Sequence, residues 1–358
     1  MALRCFQKDE ILNCDGYSTP SQKQAILHNL AICKGRQELF FKQHPETLER
    51  LLDTAMIESV RASTLMEGVV VPGDLRLREL LKSSHWRPRN RDEEDVVAYK
   101  RGLDYVYKKH DDLSVDFIVE LSNILWAHDK NKAGLKKKDN KIVLTFPDGF
   151  QAVRFVPPSA RETPRLLRDS CKLFNMLIQN DSLIDHQVIS AFILDLLCIH
   201  PLEDGNGRLA RLIHAYLLLQ SGYDVARYVS LEALIESDKG NYYDCLNKSS
   251  RKWESAGHNF NPWMNFCLGK LNLAYKRLER QLEEAEQTYR STLRQPEQAS
   301  VEKLLEAITQ GQVFDRTFIE KESATSGRTT RRILAKWQET GRLIKLGSGP
   351  ATKYQKVR

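Results

Sequence analysis

The twelve residues from His200 to Arg211, His-Pro-Leu-Glu-Asp-Gly-Asn-Gly-Arg-Leu-Ala-Arg, set a histidine, two acids and two arginines around a Gly-Asn-Gly. Glycines at 205 and 207, placed about Asn206 just ahead of a helix, free the backbone to turn successive N–H groups into one concavity. Such a nest at a helix N-terminus binds anions, phosphate above all. Arg208 and Arg211 stand three apart in the first turn, so both emerge on the side of that nest. Two fixed cations there would repel without an anion between them. Asp204 offers a hard oxygen, and Mg²⁺ is commonly held by one protein carboxylate with phosphate oxygens and water in the remaining positions. His200 titrates near neutral pH and is the candidate general base. An anion cradle, a metal ligand, charge-neutralising arginines and a base are the parts of a transfer from a nucleoside triphosphate to a hydroxyl. Each part has a bland reading when taken alone, as a plain turn or a packed histidine. Their conjunction in so short a run selects the chemistry.

The elements that must hold these residues are mostly helical. Residues 46–68, 161–180, 185–200 and 208–222 each repeat apolar side chains at helical spacing, and Gly68 and Gly222 read as C-terminal stops. The one clear β signal is 141–158, where two β-rich runs flank Pro147-Asp148-Gly149 and Pro157-Pro158 ends the second. A long charged helix over 268–293 leads to Pro296, and a separate small domain follows. Glu67 falls in the last turn of the 46–68 helix, where the macrodipole disfavours an anion by about 0.3–1 kcal/mol, so something must compensate. Ser63 lies four residues before it, on the same helix face.

Composition narrows the class. With 358 residues, 41% hydrophobic and 28% charged, there is room for two or three compact units. The seven cysteines are widely spaced without a CxxC pair, which points to reduced thiols and away from a disulfide framework or a zinc site. Neither an apolar leader core nor a membrane-length apolar run is present, so the expectation is a cytoplasmic chain with no membrane partner. The net charge is +7, and residues 301–358 hold twelve Lys or Arg against six Asp or Glu. Nearly all the excess thus lies at the C-terminus, which favours an anionic partner there or a basic solvated face.

The run HPLEDGNGRLAR resembles the signature of the Fic (filamentation induced by cAMP) family, HPFx(D/E)GNGRxxR. Only Leu202 departs from it, where Phe is commonest, a difference of packing beneath the loop. The resemblance implies protein adenylyltransferase activity. His200 would deprotonate a Ser, Thr or Tyr hydroxyl of a target protein, which attacks the α-phosphate of ATP and leaves AMP on the target. It also implies that Asp204 holds Mg²⁺, that Asn206 with the Gly205 and Gly207 backbone cradles the phosphates, and that Arg208 and Arg211 contact the β- and γ-phosphates. The ATP contacts extend through Leu209 and Ala210. Tyr242 and Tyr243 fall where the family places aromatics against the nucleoside, although core packing serves either one equally well.

Residues 132–156 resemble the family's flap, a hairpin that positions a target segment by strand addition. Lys136, Lys137 and Lys138 near its start read as solvated or as attractors of acidic targets. Ser63 to Gly68 fits the family's inhibitory pattern (S/T)xxxE(G/N). By resemblance Glu67 salt-bridges Arg211 and occupies space that the γ-phosphate needs. In some relatives the same glutamate instead orients a water that removes AMP, so brake and eraser both stay open.

Residues 297–358 resemble a winged helix-turn-helix, with "GRTTRRILAKWQETG" in the recognition position. Arg328, Arg331, Arg332 and Lys336 crowd that helix, suiting either DNA phosphates or a protein docking role. The expected fold is mostly α. It comprises an N-terminal helical region (1–110) with the inhibitory helix at about 46–68, a Fic core (111–270) with a β-hairpin flap, a linker helix (271–296) and the winged helix-turn-helix (297–358). A homodimer is compatible with this reading. Two rival functions are a nucleotide-sensing, DNA-binding regulator and a Fic-fold phospho- or phosphocholine transferase.

Overall fold

The computed structural model describes residues 20–357 apart from 44, 72, 83–86, 146–148, 180–184, 294–295 and 350–351. The chain divides into two compact units, Met1–Glu279 and Arg280–Arg358. The described part of the first runs α1 (Pro20–Gln43), α2 (Pro45–Met66), α3 (Asp74–Lys82), α4 (Arg91–Val106), α5 (Val115–Leu125), β1 (Ile142–Thr145), β2 (Gln151–Phe155), α6 (Thr163–Ile178), α7 (Asp185–Ile199), α8 (Asn206–Gln220), α9 (Val225–Tyr228), α10 (Leu231–Glu236), α11 (Lys239–Ser250) and the start of α12 (Asn261–Leu293).

Every residue of α7 from His186 to Ile199 is buried. A helix without an exposed face belongs at the centre of a unit, and α6 and α8 both pack on it. The N-terminus of α4 is set by Asn90, whose side chain accepts from Glu93 N at 2.9 Å, with Asp92, Glu93 and Glu94 complementing the helix dipole. Helix α2 packs on α4, α8 and α10, which carries its C-terminus toward the start of α8. The long charged helix begins earlier than its charge pattern suggests, because Asn261-Pro262 supplies a start whose proline suits a first turn.

Strands β1 and β2 form an antiparallel hairpin in which Val143 pairs with Val153. Both side chains are open to solvent, at 43% and 54% exposure, so this face is left uncovered. Gly149 takes a φ of 83° in the connecting turn, while Pro147 and Asp148 lie outside the described residues.

After the rest of α12, the second unit contains α13 (Pro296–Ala307), β3 (Val313–Asp315), α14 (Arg316–Ser323), α15 (Gly327–Glu339), β4 (Leu343–Leu346) and β5 (Lys353–Lys356). Its antiparallel sheet has the order β3-β5-β4. Val301, Leu305, Phe314, Ile333 and Trp337 belong to its core. The sequence reading lacks β3, because three residues are too few to show alternation and Asp315 doubles as the N-cap of α14, accepting from Phe318 N at 2.7 Å. Ser326 caps α15 in the same way.

Among the described residues Cys33, Cys171, Cys198, Cys245 and Cys267 are free thiols, and no helix is long and apolar enough to cross a membrane. Cys5 and Cys14 lie outside the described residues.

Candidate active site

The loop from α7 to α8 turns on two left-handed residues, His200 at φ 52° and Gly205 at φ 83°. Histidine at such a φ costs about 1–2 kcal/mol, so the surroundings must hold it there. Leu202 is fully buried beneath the loop, as the packing role of that position requires. Asn206 stitches the loop closed: its Oδ1 accepts from Leu202 N at 2.8 Å and its Nδ2 donates to Leu202 O at 2.9 Å. Its amide oxygen and one of its two amide N–H groups are therefore used on the protein. Gly205 is the N-cap of α8 without a side-chain cap, so the first turn presents N–H groups that have no intrahelical acceptor. Leu209 and Ala210 are buried, and Leu209 N is already bonded to Gly205 O at 2.9 Å.

The sequence argument that Arg208 and Arg211 need an anion between them is corrected by the structure, which gives each its own carboxylate. Arg208 Nη1 lies 2.5 Å from Asp95 Oδ1, with both side chains nearly inaccessible, and its guanidinium sits 5.0 Å from the Trp126 ring centroid. Arg211 reaches α2: Nε donates to Ser63 Oγ at 2.7 Å, and Nη2 donates to Ser63 O at 3.0 Å and Glu67 Oε1 at 2.6 Å. Burial opposes the Arg211 charge, but Glu67 overrides it and holds the guanidinium above its usual range.

Glu67 stands one residue beyond α2, followed by Gly68 at φ 82°, and Lys239 Nζ donates to Met66 O at 3.1 Å. The compensation that an anion at a helix C-terminus demands is thus supplied by Arg211 and Lys239. A Cβ built on Gly207 would fall 2.4 Å from Glu67 Oε1. The Glu67 carboxylate therefore lies directly over the first turn of α8.

Asp204 keeps a half-exposed side chain that meets Lys132 Nζ at 2.9 Å, while its carbonyl accepts from Trp126 Nε1 at 3.0 Å. Burial works against ionisation of Asp204, but Lys132, the Gly205 amide and Arg208 win, and its carboxyl lies below the usual range. An ionised, oriented and partly open carboxylate beside an anion cradle fits a Mg²⁺ ion that draws its other ligands from phosphate and water.

His200 is largely buried, and burial pushes its imidazole down to about 4, with Lys136 acting in the same direction and the Leu197 carbonyl, Asp204 and Glu67 against it. It is therefore neutral, and able to accept a proton, at physiological pH. His200 Nδ1 and Arg208 Nε are buried without a hydrogen-bond partner. Buried polar atoms are nearly always satisfied, so two orphans in one site suit a ligand. Burial also brings His214 down to about 4, beside an apolar cavity lined by Ile193, Leu231, Ile235 and Phe266.

Both histidines are neutral in the fold and normal, near 6.5, once unfolded, so the unfolded state binds more protons between about pH 6.5 and 4. Stability is expected to fall across that window on acidification, by about 1–2 kcal/mol per histidine at pH 5. Urea midpoints at pH 7 and 5 check this, and His200→Ala should shrink the difference. Equal midpoints would place both imidazoles in water.

Tyr242 is buried against Trp263 and Phe266, with centroids at 5.4 and 5.7 Å, while Tyr243 is half-buried below the guanidinium of Arg154. The core-packing alternative therefore describes Tyr242, and Tyr243 is the more accessible of the pair. Lys136 corrects another expectation: it is 3% exposed and turned inward, whereas Lys137 and Lys138 are on the surface. Sequence reasoning missed Asp95, Trp126 and Lys132, which hold Arg208 and Asp204. None belongs to the His200–Arg211 run, and Asp95, the last of four consecutive acids at the start of α4, reads as an ordinary dipole partner.

Taken together, a histidine, a carboxylate and two arginines stand around the N-terminus of a buried helix, an arrangement that suits an anionic ligand. Residues 112–218 match the model of the Fic/DOC family. That stretch of the chain is thus similar to the Fic domain. The chain is 26% identical over 206 residues, 55% of its length, to the protein adenylyltransferase fic-1 of Caenorhabditis elegans. That match takes in 35% of the curated relative, so the chain spans about a third of its length. A Fic family protein from Desulfovibrio desulfuricans superposes with a TM-score of 0.57 at 18% identity, over 95% of this chain and 97% of that one. A Fic-domain signaling protein from Bacteroides thetaiotaomicron gives 0.60 at 22%, over 72% and 98%. At these identities the likeness of the structures is one of fold.

Proposed function

We propose that the protein is an adenylyltransferase that moves AMP from ATP to a Ser, Thr or Tyr hydroxyl of a target protein. The observation that carries this reading is the uncapped first turn of α8 beside two orphaned buried atoms, His200 Nδ1 and Arg208 Nε. The name of the Caenorhabditis elegans relative points to the same reaction. In this reading His200 takes the hydroxyl proton, the oxygen bonds to the α-phosphorus, and the bond to pyrophosphate breaks. The first-turn N–H groups, Arg208 and Arg211 neutralise the phosphates. Asp204 would hold Mg²⁺, whose chemistry is to offset phosphate charge. An edge of the two-stranded β1–β2 sheet would pair with an extended target segment. Glu67 restrains the reaction, since its carboxylate lies where a terminal phosphate would take the α8 N-terminus.

The test is incubation of the full-length protein in lysate with ATP labelled at the α-phosphate, followed by mass analysis and by a chase for release of label. Covalent AMP that depends on His200 is expected. Added phosphate or phosphocholine would replace the reading with a sister transfer, and loss of AMP during the chase that depends on Glu67 would make that residue an eraser.

A second reading concerns the second unit. Thr330, Ile333, Leu334 and Trp337 turn one side of α15 into the core, while Arg328, Arg331, Arg332 and Lys336 stand exposed on the opposite side. That division favours a winged helix-turn-helix that contacts duplex DNA through its phosphates. Fluorescence anisotropy of the full chain on a labelled duplex should then show salt-dependent binding. Replacing Arg331 and Arg332 together by Glu should flatten the slope of log K against log salt by about 2. Identical slopes would assign the basic face to protein docking.

A further inference from the structure

The turn of chain from Lys136 to Asn140 grips the loop that carries His200. Lys136 N donates to Pro201 O at 2.8 Å, and Lys136 Nζ donates to Ile199 O and to Asn140 Oδ1, both at 3.1 Å. Asn140 Nδ2 donates to Leu202 O at 3.1 Å. The carbonyls immediately before and after His200 are thus both held by one residue, and the next carbonyl by its neighbour. Gly134 fixes the near end of the turn, since its N donates to Ser122 Oγ at 3.0 Å. His200 is the one member of the loop signature whose left-handed backbone is not relieved by being glycine. A buried ammonium is retained inside a protein only against a specific set of acceptors. Here both of the acceptors identified, Ile199 O and Asn140 Oδ1, belong to the loop or to the turn that holds it.

We propose that Lys136 is a positioning residue for the transfer: its buried ammonium and its backbone N–H together clamp the carbonyls that flank His200 and so fix where the imidazole stands. The proposal rests on His200 being the base of the reaction proposed above.

Electrostatics agree with this geometry. Burial pushes Lys136 down to about 8, opposed by Asp139. The charged groups that bear on His200 are Lys136, which favours the neutral imidazole, and Asp204 and Glu67, which favour the charged one. The clamp therefore holds the backbone of the base, and its charge adds to the burial that lowers the imidazole.

The experiment compares full-length Lys136→Met and Lys136→Arg with the wild type. Histidine NMR titrations, with the His200 signal assigned by its loss in His200→Ala, run beside initial rates of label transfer. Lys136→Met is expected to lower kcat about tenfold or more, to leave the KM for ATP near its wild-type value, and to raise the His200 titration by about one unit. Lys136→Arg, which retains charge and donors, should restore most of both. An unmoved His200 titration in Lys136→Met overturns the proposal whatever the rate does. If the Met variant does not fold, Asn140→Ala carries the test, since it removes one of the two donors to the Leu202 carbonyl and one acceptor of Lys136. A wild-type rate in that variant overturns the clamp. A wild-type protein that transfers no AMP refutes the proposed function, and the titration arm then decides the clamp alone.

Discussion

His200→Ala is expected to lower AMP transfer by about two to four orders of magnitude, the usual contribution of a positioned base, while ATP still binds. Transfer and binding separate because the groups that would grip the phosphates, the α8 first turn with Arg208 and Arg211, do not include the imidazole. Alanine tolerates the left-handed turn no better than histidine. On the other hand, it removes a buried ring whose Nδ1 has no partner, so the variant should fold. The comparison is cleanest in a Glu67→Gly background, with transfer followed by α-labelled ATP and binding by calorimetry. An equal loss of affinity and rate would make His200 a binding group. A rate near that of the background would remove it from the chemistry. The pH dependence adds a sharper sign. Burial places the imidazole at about 4, so it remains a neutral acceptor well below 6.5 and kcat should hold from about pH 8 to about pH 5. An acid limb centred near 6.5 would mean that the ring is solvated.

Glu67→Gly should raise transfer and self-modification at least about tenfold. The Glu67 carboxylate is 2.6 Å from Arg211 Nη2 and overlies Gly207 so closely that a methyl there would collide with it. A terminal phosphate brought to the same helix end would meet a like charge at contact distance. Such a repulsion is worth about 4 kcal/mol at 4 Å in an effective dielectric near 20, more than enough for a tenfold change after screening at a partly exposed group. The variant carries a cost, because Arg211 is 3% exposed and would keep only Ser63. Leaving a buried guanidinium so poorly paired destabilises by about 1–3 kcal/mol. ATP should restore that loss, so thermal shift with ATP should be larger for Glu67→Gly than for the wild type. Equal label transfer by the two proteins would remove the restraint from the account. Glu67→Gln, which keeps the shape and loses the charge, should fall between them.

How much of the site was legible follows from the distance over which each part acts. His200, Asp204, Gly205 and Gly207 work through their own backbone turn and the helix start that follows, so a run of twelve residues contained them. Ser63 and Glu67 were legible as a helix-end pattern, and the unfavourable dipole there announced that a cation must answer. The partner of Arg208 was not legible. Asp95 lies 113 residues away on α4, and only the packing of α4 against α8 brings them together. Lys136 was misread for a related reason. A triple-lysine run looks solvated, because charge is ordinarily cheapest in water. The structure turns the first of the three inward, where the acceptors around Ile199 outweigh that preference.

The sequence by itself determined the helical class, the glycine turn ahead of α8 and the nearness of His200 to that helix start. Each of these depends on neighbours within about one helical turn, where spacing dictates which groups share a face. Only the tertiary structure decided which carboxylate answers each arginine, that Asn206 spends its amide on Leu202, and that the carbonyls around His200 are tied to a buried lysine. Those outcomes depend on which groups lose water together when distant helices pack, and desolvation is a property of the assembled interior that no local run of residues encodes.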